Sequence, residues 1–435
     1  MKVGFVGIGK LGLPVCVGMS LKGHDVLGYD INPEVNETIS AYELLKTKET
    51  TPDGMNELKE SDILKNSNCK FTNSLEKTIE HSEILFCAVQ TPHEKKFEGD
   101  DLMRNNDRKD FNYSYLIESI KSISEVLDRY TKDIVLVIIS TVLPGTLRKH
   151  IIPIMSHKIK LCYNPYFIAM GTVLPDFLYP EFILLGVVDE LAKQKVIDFY
   201  STITVSPVYC TSLENAEMIK VSYNTFITAK ICLANVIMIM CDNLPNTNCD
   251  EVMNGLFMAN NRIISNKYLN GGMGDGGGCH PRDNIALSWL SNNLGLHNNL
   301  NFYDGIMKLR EYQTEYIADI ILKFKEEYSE LPIIILGKSF KPETDICTGS
   351  PAILLKNILE IKNIKSIVQY DPYIDNKHIK LEKAIYCLAT KHDIFNDYVF
   401  ENGSVLIDPF RYIKNKNNII YYGIGMNCDI NQIII

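Results

Sequence analysis

The chain has 435 residues, more than a single hydrophobic core is expected to hold, so it should pack as two or three domains. Its 46% hydrophobic and 22% charged residues exclude a collagen-like, low-complexity or broadly disordered chain. A net charge of −9 and a pI near 5.6 exclude a general nucleic-acid surface, while leaving room for a local pocket that takes phosphate.

Val3 to Val6 form an apolar run that enters a glycine turn without the small-residue exit of a cleavable signal, and so read as a first strand. Further strands are predicted over Asp25–Tyr29, Ile84–Val89, Ile134–Ser140 and Phe182–Val187, alternating with helical periodicity. That alternation is the pattern of a parallel, doubly wound sheet. The charged stretch from His93 to Asp110 has no apolar period and is expected to be an exposed excursion, a candidate flap, before a helix beginning near Tyr113.

From Glu214 to about Cys241 apolar residues recur at three- and four-residue spacing, which predicts a long helix of the kind that carries a subunit interface. Its most apolar part, Phe226 to Met240, is broken by Lys230 and Asn235 and reads as a buried helix, so no membrane span is expected. In Asn270 to Gly278 six of nine residues are glycine. A second α/β pattern begins at Pro332: strand Ile333–Leu336, helix Pro351–Leu359, and strands Ser366–Tyr370, Ala384–Leu388 and Ser404–Ile407. The expected fold class is therefore α/β, with an N-terminal Rossmann-type doubly wound domain (1–205), a central segment built on the long helix (206–325) and a C-terminal Rossmann-like α/β domain (326–435). The 12 cysteines lack paired spacing, which points to reduced thiols in a cytoplasmic compartment, and no CxxC or HxxxH pattern suggests a metal.

Gly7-Ile8-Gly9-Lys10-Leu11-Gly12 follows the first strand and opens a helix, and Asp30 ends the second strand. The first glycine permits the tight turn, the second lets backbone approach a pyrophosphate, and the third lets helix and strand pack closely. Asp30 is placed to accept both ribose hydroxyls, and its charge repels a 2′-phosphate, so NAD is expected rather than NADP.

The glycine run leads into Gly278-Cys279-His280-Pro281-Arg282-Asp283. Pro281 suits a first helical turn and Asn284 to Leu290 continue the helix, so Cys279 should stand at a helix N-terminus. The helix dipole and Arg282 favour a thiolate there, a competent nucleophile, with Asp283 four residues on to orient water or the thiol. The glycines fit close approach of backbone to a bulky ligand. A buried structural cysteine is the other reading of Cys279, and the commoner fate of a free thiol.

Six more motifs follow in order. Ala88-Val89-Gln90-Thr91-Pro92 and Ser140-Thr141-Val142-Leu143-Pro144-Gly145-Thr146 end strands; Asn164-Pro165-Tyr166-Phe167 comes next; Glu217, Lys220, Asn224, Lys230 and Asn235 mark the long helix; Gly337-Lys338-Ser339-Phe340-Lys341-Pro342 and Tyr370-Asp371-Pro372-Tyr373 mark the last domain. Together with the glycine and cysteine motifs they resemble the UDP-glucose/GDP-mannose dehydrogenase family over nearly the whole chain. The resemblance implies that NAD oxidises the C6 alcohol of a nucleotide sugar twice, through an aldehyde and a Cys279 thioester, to a carboxylate. A UDP-hexose is the leading substrate class, with a place in polysaccharide biosynthesis and a homodimer as the assembly. Lys220 and Asn224, four apart on one helical face, correspond to the donors to the developing oxyanion. Thr141 and Asp283 correspond to the holders of the attacking water. Lys10, Leu11, Thr91, Pro92 and Thr141 join the glycines and Asp30 around the cofactor. Tyr166, Phe167, Arg262, Tyr268, Gly274, Gly278, Phe340 and Lys341 fall at substrate-contacting positions, with Phe340 and Lys341 on the turn for base and phosphates.

The chain also departs from the family. Tyr166 and Met170 stand where the family has two glutamates, so proton handling must differ, and Asp283 with Thr141 and a water is the substitute. Thr348 replaces an expected arginine, Val35 a basic residue near the adenosine, and His280 an aromatic or aliphatic neighbour of the nucleophile. The spacing from Arg262 to Cys279 is one residue longer than in the family. A nucleotide-sugar-binding protein or an epimerase-like, non-oxidative NAD enzyme that kept the fold is the alternative reading. A hydroxyacid dehydrogenase is a third, which the second α/β domain disfavours.

Overall fold

The computed structural model describes residues 1–35, 48–58, 62–65, 67–100, 108–243, 245–259, 270–293, 302–364 and 366–426. They group into two compact units, Met1–Pro92 with Phe111–Ser222, and His93–Asp110 with Tyr223–Ile435. The central segment read from sequence as its own domain is thus shared between them.

The first unit is a twisted α/β sheet. Its described strands are β1 (Lys2–Val6), β2 (Asp25–Tyr29), β3 (Lys70–Thr72), β4 (Ile84–Cys87), β5 (Ile134–Ile138), β6 (Ile159–Tyr163), β7 (Ile183–Val187) and β8 (Val208–Thr211), in the order β3-β2-β1-β4-β5-β6-β7-β8. Strands β4 and β5 are buried at every position, which is why they read as continuous apolar runs rather than alternating ones. The helices are α1 (Gly12–Leu21), α2 (Asp62–Lys65), α3 (Leu75–His81), α4 (Ser114–Leu127), α5 (Val173–Leu178), α6 (Glu190–Ser201) and the start of α7 (Leu213–Asn243). Side-chain N-caps set two of them: Ser74 accepts from the Lys77 N–H and Asp189 from the Ala192 N–H. One expectation is corrected: β7 runs antiparallel to β6, so β7 and β8 form a reversed, mutually parallel edge. Mixed sheets of this kind remain compatible with a doubly wound core, because the β1–β4 junction, where the strand order changes direction, is parallel on both sides.

The second unit carries the rest of α7, then α8 (Cys249–Phe257), α9 (His280–Asn293), α10 (Phe302–Glu327), β9 (Ile333–Leu336), α11 (Pro351–Ile361), β10 (Ile367–Tyr370), β11 (Ile385–Leu388), β12 (Val405–Asp408) and β13 (Ile420–Gly423). The strands form an all-parallel sheet in the order β10-β9-β11-β12-β13. Ile317 and Ile321 of α10 and Leu355 and Ile358 of α11 pack with Ile333, Ile335 and Ile385 in one core. Ser350 caps α11 by accepting from the Ala352 N–H, with Pro351 at its first turn.

Helix α7 is 31 residues long, long and apolar enough to cross a membrane, but 56% of its most apolar stretch is buried in the protein. It also carries Glu217, Lys220, Asn224 and Asn235, each hydrogen-bonded. We read it as a core helix. The His93–Asp110 segment is a second correction: its described residues are not an exposed flap. Phe97, 3% exposed, packs between Ile285 and Met307, and Arg108 pairs with Asp304 at 2.6 Å. The charges that hid this segment from a periodicity argument surround one apolar anchor.

Candidate active site

The turn between β1 and α1 has the shape its glycines require. Gly7 has φ +96°, and a Cβ there would lie 2.8 Å from the Ala88 carbonyl oxygen; at Gly12 it would lie 2.1 Å from that of Gly7. Nothing lies within 4 Å of the Cβ position of Gly9, so backbone is left open where a pyrophosphate needs it. Asp30 accepts the Ile8 N–H (2.8 Å) on one oxygen and the Asn32 N–H (2.9 Å) on the other, which aims its carboxylate at the tip of β2. Leu11 packs on the core of this unit, Lys10 stays partly exposed, and Val35 is buried. The open Gly9 backbone and the half-buried Asp30 fit a dinucleotide.

The ends of β4 and β5 are tied together. Thr91 donates its hydroxyl to the Thr141 carbonyl (2.7 Å), and Ser140 donates to that of Val89 (2.6 Å). The Pro92 carbonyl accepts the Asn112 N–H (2.7 Å). Beyond Thr141 the turn is held by a residue that sequence reasoning did not single out as functional. Glu217 is fully buried and accepts the N–H groups of Gly145 (2.6 Å) and Leu147 (2.9 Å). Burial pushes its carboxyl up to about 7, against the pull of those two N–H groups.

Lys220 lies one turn after Glu217. Its ammonium donates to the Tyr166 carbonyl (2.8 Å) and sits 5.0 Å over the ring of Phe167. The Tyr166 side chain goes elsewhere. Its ring packs 6.0 Å from that of Phe177, its hydroxyl is 3.3 Å from Tyr200, and burial raises its pKa well above the ordinary phenol range. What this segment presents to Lys220 is therefore a backbone carbonyl and an aromatic face, and the phenol is turned into the core.

In the second unit Cys279 is exposed, immediately before α9, with its carbonyl accepting the Asp283 N–H at 2.8 Å. Two thiols elsewhere are buried, and burial pushes Cys87 and Cys232 each up to about 12. Asp283 is fully buried and held on both oxygens, by the Asn224 amide at 2.6 Å and by Nε and Nη2 of Arg282, each at 3.0 Å. His93 lies 3.1 Å from the Arg282 carbonyl; burial lowers its pKa to about 4, so it is neutral and donates there through Nε2. His280 is half-buried beside the thiol.

The glycine run owes its composition to protein as much as to ligand. A Cβ on Gly276 would lie 2.7 Å from Cβ of Phe340, and one on Gly277, at φ +85°, would lie 2.8 Å from its ring. At Gly274 the nearest atom would be 3.5 Å away, on Arg310, while Gly278, next to the thiol, is exposed and faces open space. The expected close approach to a ligand is thus available at Gly278, whereas Gly276 and Gly277 are pressed on Phe340. The loop is also pinned along its length: Arg411 donates to the Gly271 carbonyl (2.9 Å), Asn235 accepts the Gly272 N–H (2.9 Å), and Arg310 bonds the Asp275 carbonyl and carboxylate.

After β9, Asp371 accepts the N–H groups of Lys338 (2.8 Å) and Ser339 (2.9 Å) and the Ser339 hydroxyl (3.0 Å). Nδ1 of His392 accepts the Glu343 N–H (3.0 Å), so the proton is on Nε2, which faces Asp371 at 3.1 Å. Lys341 and Thr348 are half-buried on the same loop. Arg262 and Tyr268 lie outside the described residues. Among the described residues no group of three or more metal-ligating side chains is present.

Arg310 was missed although a signal existed. It falls in the apolar stripe Ile306, Met307, Ile317, Ile321 of α10 at helical spacing, and a charge in such a stripe asks for a buried partner.

Residues 1–204 match the NAD binding domain, and residues 214–308 the central domain, of the UDP-glucose/GDP-mannose dehydrogenase family. The chain is 28% identical over 401 residues to a UDP-glucose 6-dehydrogenase of Rickettsia conorii, covering 91% of this chain and 85% of that one. It is 27% identical over 454 residues to a UDP-N-acetyl-D-mannosamine dehydrogenase of Pyrococcus horikoshii, covering 98% and 99%. A solved structure of a UDP-D-ManNAc dehydrogenase from Pyrococcus horikoshii superposes with a TM-score of 0.78 at 25% identity, over 98% of this chain and 99% of that one. A UDP-glucose dehydrogenase from Pyrobaculum islandicum shares the fold at a TM-score of 0.78 and 22% identity, over 97% of each chain.

Proposed function

The chain belongs to the UDP-glucose/GDP-mannose dehydrogenase family, a family of NAD-dependent nucleotide-sugar dehydrogenases, and from that premise we propose that it oxidises the C6 alcohol of a UDP-hexose to the uronic acid through a Cys279 thioester. The observation that carries this reading is an exposed thiol at the start of α9 whose helix holds a buried, doubly bonded carboxylate one turn on. The β1–α1 turn and Asp30 would hold NAD, one molecule of which would accept the hydride in each of the two oxidations. Lys220 and Asn224 are assigned to the oxygen that gains charge as the alcohol loses its proton and again when sulfur adds to the aldehyde carbon. The exposed Cys279 sulfur at the start of α9 makes this carbon–sulfur bond, giving up its proton as it adds. After the second hydride leaves, Asp283 and Thr141 position the water that cleaves the thioester, returning the thiol and releasing the carboxylate.

The reading includes a homodimer, supported by Met218, Phe226 and Leu233, which expose apolar side chains along one face of α7. It also includes a reducing, cytoplasmic setting, in keeping with eleven described cysteines that are all free.

Purified protein offered a panel of UDP- and GDP-sugars with NAD tests it by the NADH made per sugar consumed. Two per sugar with one UDP-hexose is expected. One would mean an aldehyde product, and none across the panel would favour a binding or epimerase-like role, the reading that Tyr166 and Met170 at the glutamate positions keep in view.

A further inference from the structure

Arg310 is 1% exposed and nearly all of its hydrogen-bonding capacity is engaged. Nε donates to the Asp275 carboxylate (2.7 Å) and carbonyl (3.1 Å), and Nη2 to the Asp275 carbonyl (3.0 Å) and the Gly349 carbonyl (2.8 Å). Nη1 donates to the Gly99 carbonyl at 2.7 Å. One guanidinium thus joins three segments of the second unit: the glycine run that leads to Cys279, the stretch after His93, and the loop that caps α11. Asp275, itself 5% exposed, passes the contact on, because its other oxygen accepts from Thr228 (2.8 Å), one helical turn after Asn224.

A buried ion pair contributes little net stability compared with apolar packing, so five bonds to four carbonyl and carboxylate oxygens on one side chain call for a reason other than stability. Geometry gives one. The planar fork reaches three segments at fixed angles, and a lysine ammonium, a single point with three donors, cannot do so.

We propose that Arg310 is a positioning residue that fixes the glycine run, and with it Cys279, so that the sulfur meets the aldehyde before the aldehyde escapes. The inference rests on the proposed function, and its test separates the two. Wild-type protein is assayed first for NADH per sugar consumed, and a yield of one or none there removes the proposed function. Given two from the wild type, Arg310→Lys, which keeps a cation opposite Asp275, is expected to release aldehyde. NADH per sugar falls from two towards one, and hydroxylamine in the assay captures the aldehyde as an oxime. Turnover to carboxylate falls by up to on the order of 10²-fold, the size of effect a displacement of about 1 Å produces, with NAD affinity unchanged.

Alkylation of Cys279 by iodoacetamide, read on its peptide by mass spectrometry, should also rise as the run loosens. A folded Arg310→Lys that still yields two NADH per sugar at the wild-type rate, with unchanged alkylation, overturns the proposal. If that variant does not fold, Asp275→Asn is read in the same way: aldehyde release supports the proposal, and wild-type yield with unchanged alkylation overturns it. A loss of folded protein alone would lower both oxidations together and leave the ratio at two, so the ratio distinguishes positioning from bulk stability.

Discussion

The turn after β1 and the turn after β9 are built alike and finished differently. In each, an aspartate at the tip of the neighbouring strand accepts backbone N–H groups of the turn: Asp30 takes that of Ile8, and Asp371 takes those of Lys338 and Ser339. Asp30 is half-buried, bonded to backbone alone among the bonds described, and can exchange those partners for ribose hydroxyls. Asp371 is fully buried and adds the Ser339 hydroxyl and the His392 imidazole, so its acceptor capacity is consumed inside the protein. The same topology therefore gives one open turn suited to a dinucleotide and one locked turn that serves as a frame. The Asp371 carboxylate is thus occupied, whereas Cys279 and the backbone at Gly278 stay exposed.

The largest effect expected tests whether chemistry is separable from the open turn. Cys279→Ser should lower carboxylate formation by on the order of 10³-fold or more while NAD binding, followed by protein fluorescence quenching or calorimetry, stays as in the wild type. Unchanged turnover would remove the covalent mechanism. Next in size is the locked turn. Asp371→Asn places an amide NH₂ against N–H donors and is expected to cost about 3 kcal/mol. The chain's one tryptophan, Trp289 on α9, lies in the same unit and reports it as an earlier fluorescence midpoint in urea. A midpoint unchanged from wild type would show that His392 and Ser339 hold the turn without the carboxylate.

How far this contrast could be read from sequence depends on what each residue answers to. Strands β1 and β9 end where the apolar runs end, because a buried parallel strand must be apolar throughout and a glycine turn stops it. Strands β3, β8 and β13 were not foreseen: they are edge strands of three or four residues, too short for an alternating pattern. Strand β6 was missed as well, and its antiparallel pairing to β7 is a matter of chain path, on which the local pattern of Ile159 to Tyr163 says nothing. At the site, Asn224 beside Asp283 was legible as two motifs but not as a contact, since 59 residues separate them. The glycine run was legible as a feature, while Phe340, which presses on Gly276 and Gly277, is 63 or more residues away in the chain. Spacing arguments reach one or two turns of helix; bonds such as that from Arg310 to Gly99 across 211 residues need coordinates.

A smaller effect tests the open turn itself. Asp30→Ala removes the carboxylate acceptors, and NAD affinity should fall roughly tenfold or more, the worth of a hydrogen bond to a charged group. Discrimination against NADP should weaken at the same time, since the repelling charge is gone. Equal NAD affinity in the variant would mean that Asp30 merely braces Ile8, and the two turns would then differ in burial but not in use.

A last effect, small at any single pH because it is spread over a window, compares buried carboxylates by the sign of their titration. Asp371 meets the cost of burial with His392 and the N–H groups of Ser339 and Lys338, and its pKa is held below the ordinary 3.8. Its contribution to stability is present above that value and is lost in acid as pH falls through the depressed pKa. For Glu217 in the first unit burial outweighs the Leu147 and Gly145 N–H groups, with Glu214 opposing and Arg148 assisting ionisation from nearby, and raises it from 4.5 to about 7. The sign reverses: the folded chain binds the proton more tightly than the unfolded one, so this stability is complete below 4.5 and is lost as pH rises through about 7. Glu217→Gln should remove that decline, on the order of 1–3 kcal/mol spread over the window, while leaving the acid limb set by Asp371 in place. Calorimetric midpoints from about pH 4 to pH 8 decide it. A wild-type midpoint that does not fall between pH 5 and 7 more than that of the variant would show that the two N–H groups suffice to keep Glu217 ionised, and the turn after Thr141 would then carry no proton of its own near neutral pH.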